Sequence, residues 1–116
     1  MPHIDISTNA SVAPKVGQKL LSDIVTLTET YLGKPKNVTM ARLMPDSLVL
    51  FAGTLEPAAH VHIRAIGLPA PDTRNALVSS ISALLDEVLG IAPGRTFVVF
   101  DDIPRNQWGV GGKLLG

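Results

Sequence analysis

The chain has 116 residues, 46% of them hydrophobic, and its ten Lys and Arg balance its ten Asp and Glu. With no cysteine, disulfides, thiolate metal sites and thiol redox chemistry are excluded together. No basic cluster exceeds Lys34-Pro35-Lys36, so no nucleic-acid partner is expected. No apolar run approaches the ~20 residues of a membrane span and the start lacks a leader pattern, so no membrane association and a cytoplasmic location are expected.

The length fits one domain, residues 1–116, large enough to bury a core. Ile4 and Ile6 alternate with His3, Asp5 and Ser7, the period-two pattern of a strand with one buried face. From Pro14, the residues Val16, Leu20, Ile24, Leu27 and Tyr31 fall on one helical stripe, with Ser11 as candidate cap. Leu32-Gly33 stops that helix, Pro35 follows, and Val38 to Met44 reads as the next strand. After the turn Pro45-Asp46-Ser47, the apolar run Leu48 to Ala52 reads as a further short strand.

His60 to Ile66 alternates again, placing His60, His62, Arg64 and Ile66 on one face. Gly67, Pro69 and Pro71 connect it to a second helix, with Asp72 or Thr73 as cap and Leu77, Ile81, Leu84, Leu85 and Val88 as its inward stripe. Leu89-Gly90 ends this helix as Leu32-Gly33 ends the first, and Thr96 to Phe100 is a strand apolar on both faces. Trp108 to Gly112 reads as a short edge strand in a turn-rich tail.

Strand, helix, strand therefore occurs twice. Two βαβ pseudo-repeats predict an α+β domain with a four-stranded mixed sheet and both helices on one face. The doubly apolar strands need cover on the other face as well, which association of copies through the sheet supplies.

Met1-Pro2 carries the first chemical signal. With Met1 removed, Pro2 presents a secondary amine, which titrates near ~8 when exposed and lower when buried, so its neutral form can serve as a base near neutral pH.

Met1-Pro2, Leu32-Gly33-Lys34-Pro35, Gly53-Thr54-Leu55-Glu56-Pro57, Ile66-Gly67 and Pro93-Gly94-Arg95 stand in the order and spacing of one family. Over nearly its whole length the chain resembles the macrophage migration inhibitory factor and D-dopachrome tautomerase family. The resemblance implies a homotrimer of sheets around a central channel, with a site at each subunit interface. It implies a cofactor-independent keto–enol tautomerase acting on an enolisable 2-oxo acid of the phenylpyruvate or dopachrome type. In that reading Pro2 is base and then acid, Lys34 binds the substrate carboxylate, the backbone N–H of Ile66 donates a hydrogen bond, and Phe97, Val99 and Trp108 are pocket residues. Apart from the resemblance, Lys34 reads as a cation placed at a helix C-terminus, and Trp108 reads equally as a pocket wall or an interface anchor.

Several positions depart from the family pattern. Phe97 stands where a tyrosine is usual, Val99 where an asparagine is, and Val38 where an aromatic follows Lys-Pro. The tail from Val110 to Leu115 also differs, and Ala58 and Val61 occupy the places of a cysteine pair. A pocket less selective for hydroxyphenyl rings is expected. His60 and His62 share a strand face with His3 or Asp5 in reach, but they read as solvated or interface histidines, and no metal is expected. The same fold also hosts decarboxylases, hydratases and dehalogenases, which need additional arginines that Arg42, Arg64 or Arg74 can supply, and non-enzymatic binding or signalling trimers.

Overall fold

The computed structural model describes residues 1–116. The chain runs β1 (Pro2–Thr8), α1 (Pro14–Leu32), β2 (Met40–Met44), β3 (Ala59–Ala65), α2 (Pro71–Leu89) and β4 (Thr96–Asp102), then a hairpin of β5 (Gly109–Val110) and β6 (Lys113–Leu114). The main sheet has the order β2-β1-β3-β4, with β1 parallel to β2, antiparallel to β3, and β3 parallel to β4. Each βαβ half thus contributes one parallel pair, and the two halves meet along the antiparallel β1/β3 seam.

The alternation of β1 and β3 sends Ile4, Ile6, Val61 and Ile63 to the helix side, where they are fully buried against Leu20, Ile24, Leu77, Ile81 and Leu85. Both helices end at a left-handed glycine, Gly33 (φ 68°) and Gly90 (φ 68°), whose N–H groups close on Glu29 O and Asp86 O. A 3₁₀ turn follows in each half, at Lys36–Val38 and Pro93–Arg95, and leads into β2 and β4. The repeat predicted from Leu-Gly spacing is therefore a repeat of cap, turn and strand.

Other expectations are corrected by the structure. Leu48 to Ala52 forms no strand. Ala52 (φ 52°) and Gly53 (φ 74°) reverse the chain and pair Phe51 with Thr54, leaving Leu48 92% and Leu50 69% exposed. Val38 lies in the 3₁₀ turn rather than in β2, and Trp108 precedes a two-strand hairpin that turns at Gly111-Gly112. Neither helix uses its expected cap. Pro14 and Pro71 occupy the first helical position after Ala13 and Ala70, and Ser11 instead bonds Asp46. The buried stripe of α1 runs Gly17, Leu20, Ile24, Thr28 and Leu32, with Val16 exposed. A Cβ at Gly17 would meet Leu43 Cδ2 at 3.3 Å, so the glycine lets α1 settle closely on β2.

Arg95 fixes the long connection between β2 and β3. Its guanidinium donates to Pro57 O, Glu56 O and Phe51 O at 2.9, 2.9 and 3.2 Å and stacks over the Phe51 ring. No helix is long and apolar enough to cross a membrane.

Candidate active site

Pro2 opens the central strand β1 opposite Ala65 of β3. A proline lacks the N–H that a ladder needs, so the first position of a strand is where it fits without loss. The strand ends here, where β1 begins and β3 and β4 finish, border a groove of about 640 Å³. Met1, Pro2, His3 and Arg64 form its floor. Asn37 to Met40 from the turn before β2 make one wall, and Ile103 with Gln107 to Val110 make the other.

Local bonds hold the second wall. Ile103 N–H donates to Ala65 O (2.8 Å), Gly67 N–H to Asp102 Oδ1 (2.9 Å), and Leu115 N–H to Trp108 O (2.9 Å). They fold the tail back across the end of β3. Lys34 leaves the left-handed end of α1 and its Nζ donates to Ile66 O at 2.9 Å. That bond brings Lys34 to the Ile66-Gly67 turn one residue beyond the Pro2–Ala65 pair. The amine at Met1 is held below its ordinary value, first by burial and then by the charges of Lys34 and Arg105. A neutral amine is thereby favoured at this end of the sheet.

Behind the groove, on the face away from the helices, Asp5 is buried and takes Arg42 in a bidentate pair (2.7 and 3.1 Å) and Arg64 Nη1 at 3.1 Å. His3 stands beside both, Nε2 3.4 Å from Asp5 Oδ1 and Nδ1 3.3 Å from Arg64 Nη1. Burial alone would raise the Asp5 carboxyl, but the bonds from Arg42 and Arg64 outweigh it and hold the group below its usual value. Further along this face His62 pairs with Asp101, and the His60 and His62 rings lie 6.1 Å apart. Nowhere do three or more imidazole or carboxylate groups converge within reach of one metal ion.

Of the residues singled out in the sequence, Pro2 and Trp108 line the groove, while Lys34 and Ile66 meet at the same end of the sheet, outside its lining. Phe97 and Val99 do neither. Register pairs them with His60 and His62, well along β4 from Pro2, where they stand 54% and 42% exposed on the helix-free face. Of the three arginines held open, Arg64 lines the groove, Arg42 braces Asp5, and Arg74 sits on α2 away from it. Arg105, Asn37 and Gln107 escaped the sequence reading because they lie in 3₁₀ turns, where no periodic signal marks a side.

Two βαβ halves sharing one mixed sheet, with a groove that opens beside Pro2 at the start of β1, define the tautomerase type of α+β fold. The sequence profile described as macrophage migration inhibitory factor (MIF) matches residues 1–116, and the chain belongs to that family. Macrophage migration inhibitory factor from Rattus norvegicus is 27% identical over 115 residues, covering 99% of both chains. D-dopachrome decarboxylase from Mus musculus is 27% identical over 114 residues, covering 97% of this chain and 94% of its own. The crystal structure of a macrophage migration inhibitory factor homologue from Prochlorococcus marinus superposes with a TM-score of 0.92 at 24% identity, covering 98% and 99% of the two chains.

Proposed function

We propose that this protein is a cofactor-independent keto–enol tautomerase of enolisable 2-oxo acids, phenylpyruvate among them, in which Pro2 acts as the base once Met1 is removed. The observation that carries this reading is the environment at the start of β1, where burial and the charges of Lys34 and Arg105 lower the amine of Met1, one residue ahead of Pro2. A neutral Pro2 nitrogen takes a proton from the carbon next to the carbonyl. The electron pair moves onto the carbonyl oxygen, and the pyrrolidinium returns the proton there to give the enol. Lys34 holds the substrate carboxylate, the Ile66 N–H steadies the oxygen, and Trp108 forms a wall over the ring.

A second copy completes the site. Phe97 and Val99 are exposed on the open sheet face and are assigned to the groove of a neighbouring copy in a homotrimer, where Leu48 and Leu50 also gain cover. The lack of a hydroxyl at Phe97 and of an amide at Val99 leaves that wall without donors, so 4-hydroxyphenylpyruvate gains nothing over phenylpyruvate. The protein is assigned to the cytoplasm. Decarboxylation from the same proline is the second reading, favoured by the relative named D-dopachrome decarboxylase.

The test is ketonisation of phenylpyruvate enol by the wild type and by Pro2→Gly, on protein whose intact mass shows Met1 removed. Wild-type activity that collapses by about a hundredfold or more in the variant is the expected result. Protein with a free Pro2 and no activity would overturn it, and the D-dopachrome reaction with product analysis then decides between decarboxylation and binding alone.

A further inference from the structure

A side chain that the tautomerase chemistry does not require stands on the groove floor. Arg64 is one residue along β3 from Ala65, the partner of Pro2, and points to the groove side of the sheet. Its Nη1 is held by Asp5 Oδ2 (3.1 Å) and faces His3 Nδ1 (3.3 Å), while Nη2 and Nε have no acceptor in the protein. The side chain is 34% exposed.

The charges around Asp5 do not cancel. One carboxylate faces two guanidinium groups, and Arg42 already occupies both of its oxygens. Asp101, across from Arg64 on β4, is taken by His62, so Asp5 leaves one guanidinium charge unmatched, and of the two arginines only Arg64 borders the groove. Asp5 therefore orients Arg64 without neutralising it, which presents a fixed donor fork of the kind that matches a carboxylate. Lys34 gives a separate cation at Ile66 O, just past the end of β3 and two residues beyond Arg64. A monocarboxylate occupies one of these points and leaves the other facing water.

We infer that the groove takes 2-oxo acids bearing a second carboxylate, with Lys34 on the first and Arg64 on the second. The inference rests on the tautomerase reading for the role of Lys34 and adds a specificity-determining residue to it. Phenylpyruvate is then an adequate but incomplete ligand, whose ring lies over Arg64 without pairing its free nitrogens.

The test compares two acids of equal chain length, 2-oxoglutarate and 2-oxopentanoate, by calorimetric titration of the wild type, Arg64→Gln, Arg64→Lys and Pro2→Gly. The wild type is expected to bind the diacid about tenfold more tightly, the worth of one charge-assisted contact. In Arg64→Gln the ratio falls to about one, and in Arg64→Lys it recovers in part, because charge returns without the fork. Asp5 keeps its bidentate Arg42 in both variants, and melting curves check that they fold. Equal affinity for the two acids in the wild type overturns the inference, as does a ratio that survives Arg64→Gln. The outcomes separate it from the catalytic reading. A diacid preference retained in Pro2→Gly and in a wild type that ketonises nothing upholds the anion site and sinks the tautomerase, and ketonisation without any preference does the reverse.

Discussion

Replacing Asp5 with Asn probes the polar bracket behind the groove. The amide keeps the shape but loses the charge, and its NH2 is turned toward a guanidinium. Arg42 is 58% exposed and water replaces its bonds readily, so no stability is assigned to them. Arg64 and Asp5 are less exposed, at 34% and 11%, and a hydrogen bond to a charged partner is worth roughly 1.5–3 kcal/mol. A loss of about 2 kcal/mol follows, or on the order of 6–10 °C in Tm for a domain of this size. The sign of the pH dependence is fixed by the lowered Asp5 carboxyl. Its contribution is complete above the unfolded carboxyl value of about 3.9 and is lost as pH falls through the lower folded value. The gap between thermal melts of wild type and Asp5→Asn should therefore narrow from pH 7 to pH 3. A variant melting within 1 °C of wild type at pH 7, or a gap that widens on acidification, refutes the reasoning.

Other outcomes follow from single contacts. Under the proposed chemistry, the acid limb of the pH–kcat/KM profile lies below the ordinary amine value, because the active form is the neutral amine. Lys34→Gln moves that limb upward only in part, since burial is the larger cause. Ile81→Ala removes a fully buried side chain between the helices and the sheet and costs about 3 kcal/mol, read by urea unfolding. Gly33→Ala and Gly90→Ala meet no atom within 4 Å, so each costs only the left-handed strain of about 1 kcal/mol, and the double variant sums them. Arg95→Gln releases three carbonyls, and hydrogen exchange at residues 51–56 rises by tenfold or more while β3 stays protected.

The parts of the fold legible in the sequence are those in which side-chain period and burial agree. Ile4 and Ile6 in β1, and Leu77, Ile81 and Leu85 in α2, are buried where their spacing puts them. Gly17 is instructive in the opposite sense. It adds nothing to an apolar stripe, yet lies on the buried side of α1 because the missing Cβ admits Leu43. The buried stripe is therefore turned away from Val16 toward Gly17. Leu48 to Ala52 misled because an apolar run looks like a buried strand whether or not a partner exists, and the turn that prevents pairing depends on a left-handed Ala52 that residue type does not announce. At the groove, strand period puts Arg64 on the helix-free face, the chemistry of a secondary amine singles out Pro2, and only the family resemblance points to Lys34 as a substrate contact. Arg105 acts on the amine from a turn, at a distance that no local pattern encodes.

The placement of β1 has a consequence for how the protein can be handled. Most chain ends fray into solvent, but this one is an inner strand whose start is already walled on both sides. Any residues fused ahead of Pro2, an affinity tag or an uncleaved leader, must leave through the groove and so act as a tethered plug. They would cap the amine in the same stroke. A carrier or label belongs at Gly116, and an extension cut away at Pro2 by a protease makes a molecular cork whose removal can be timed.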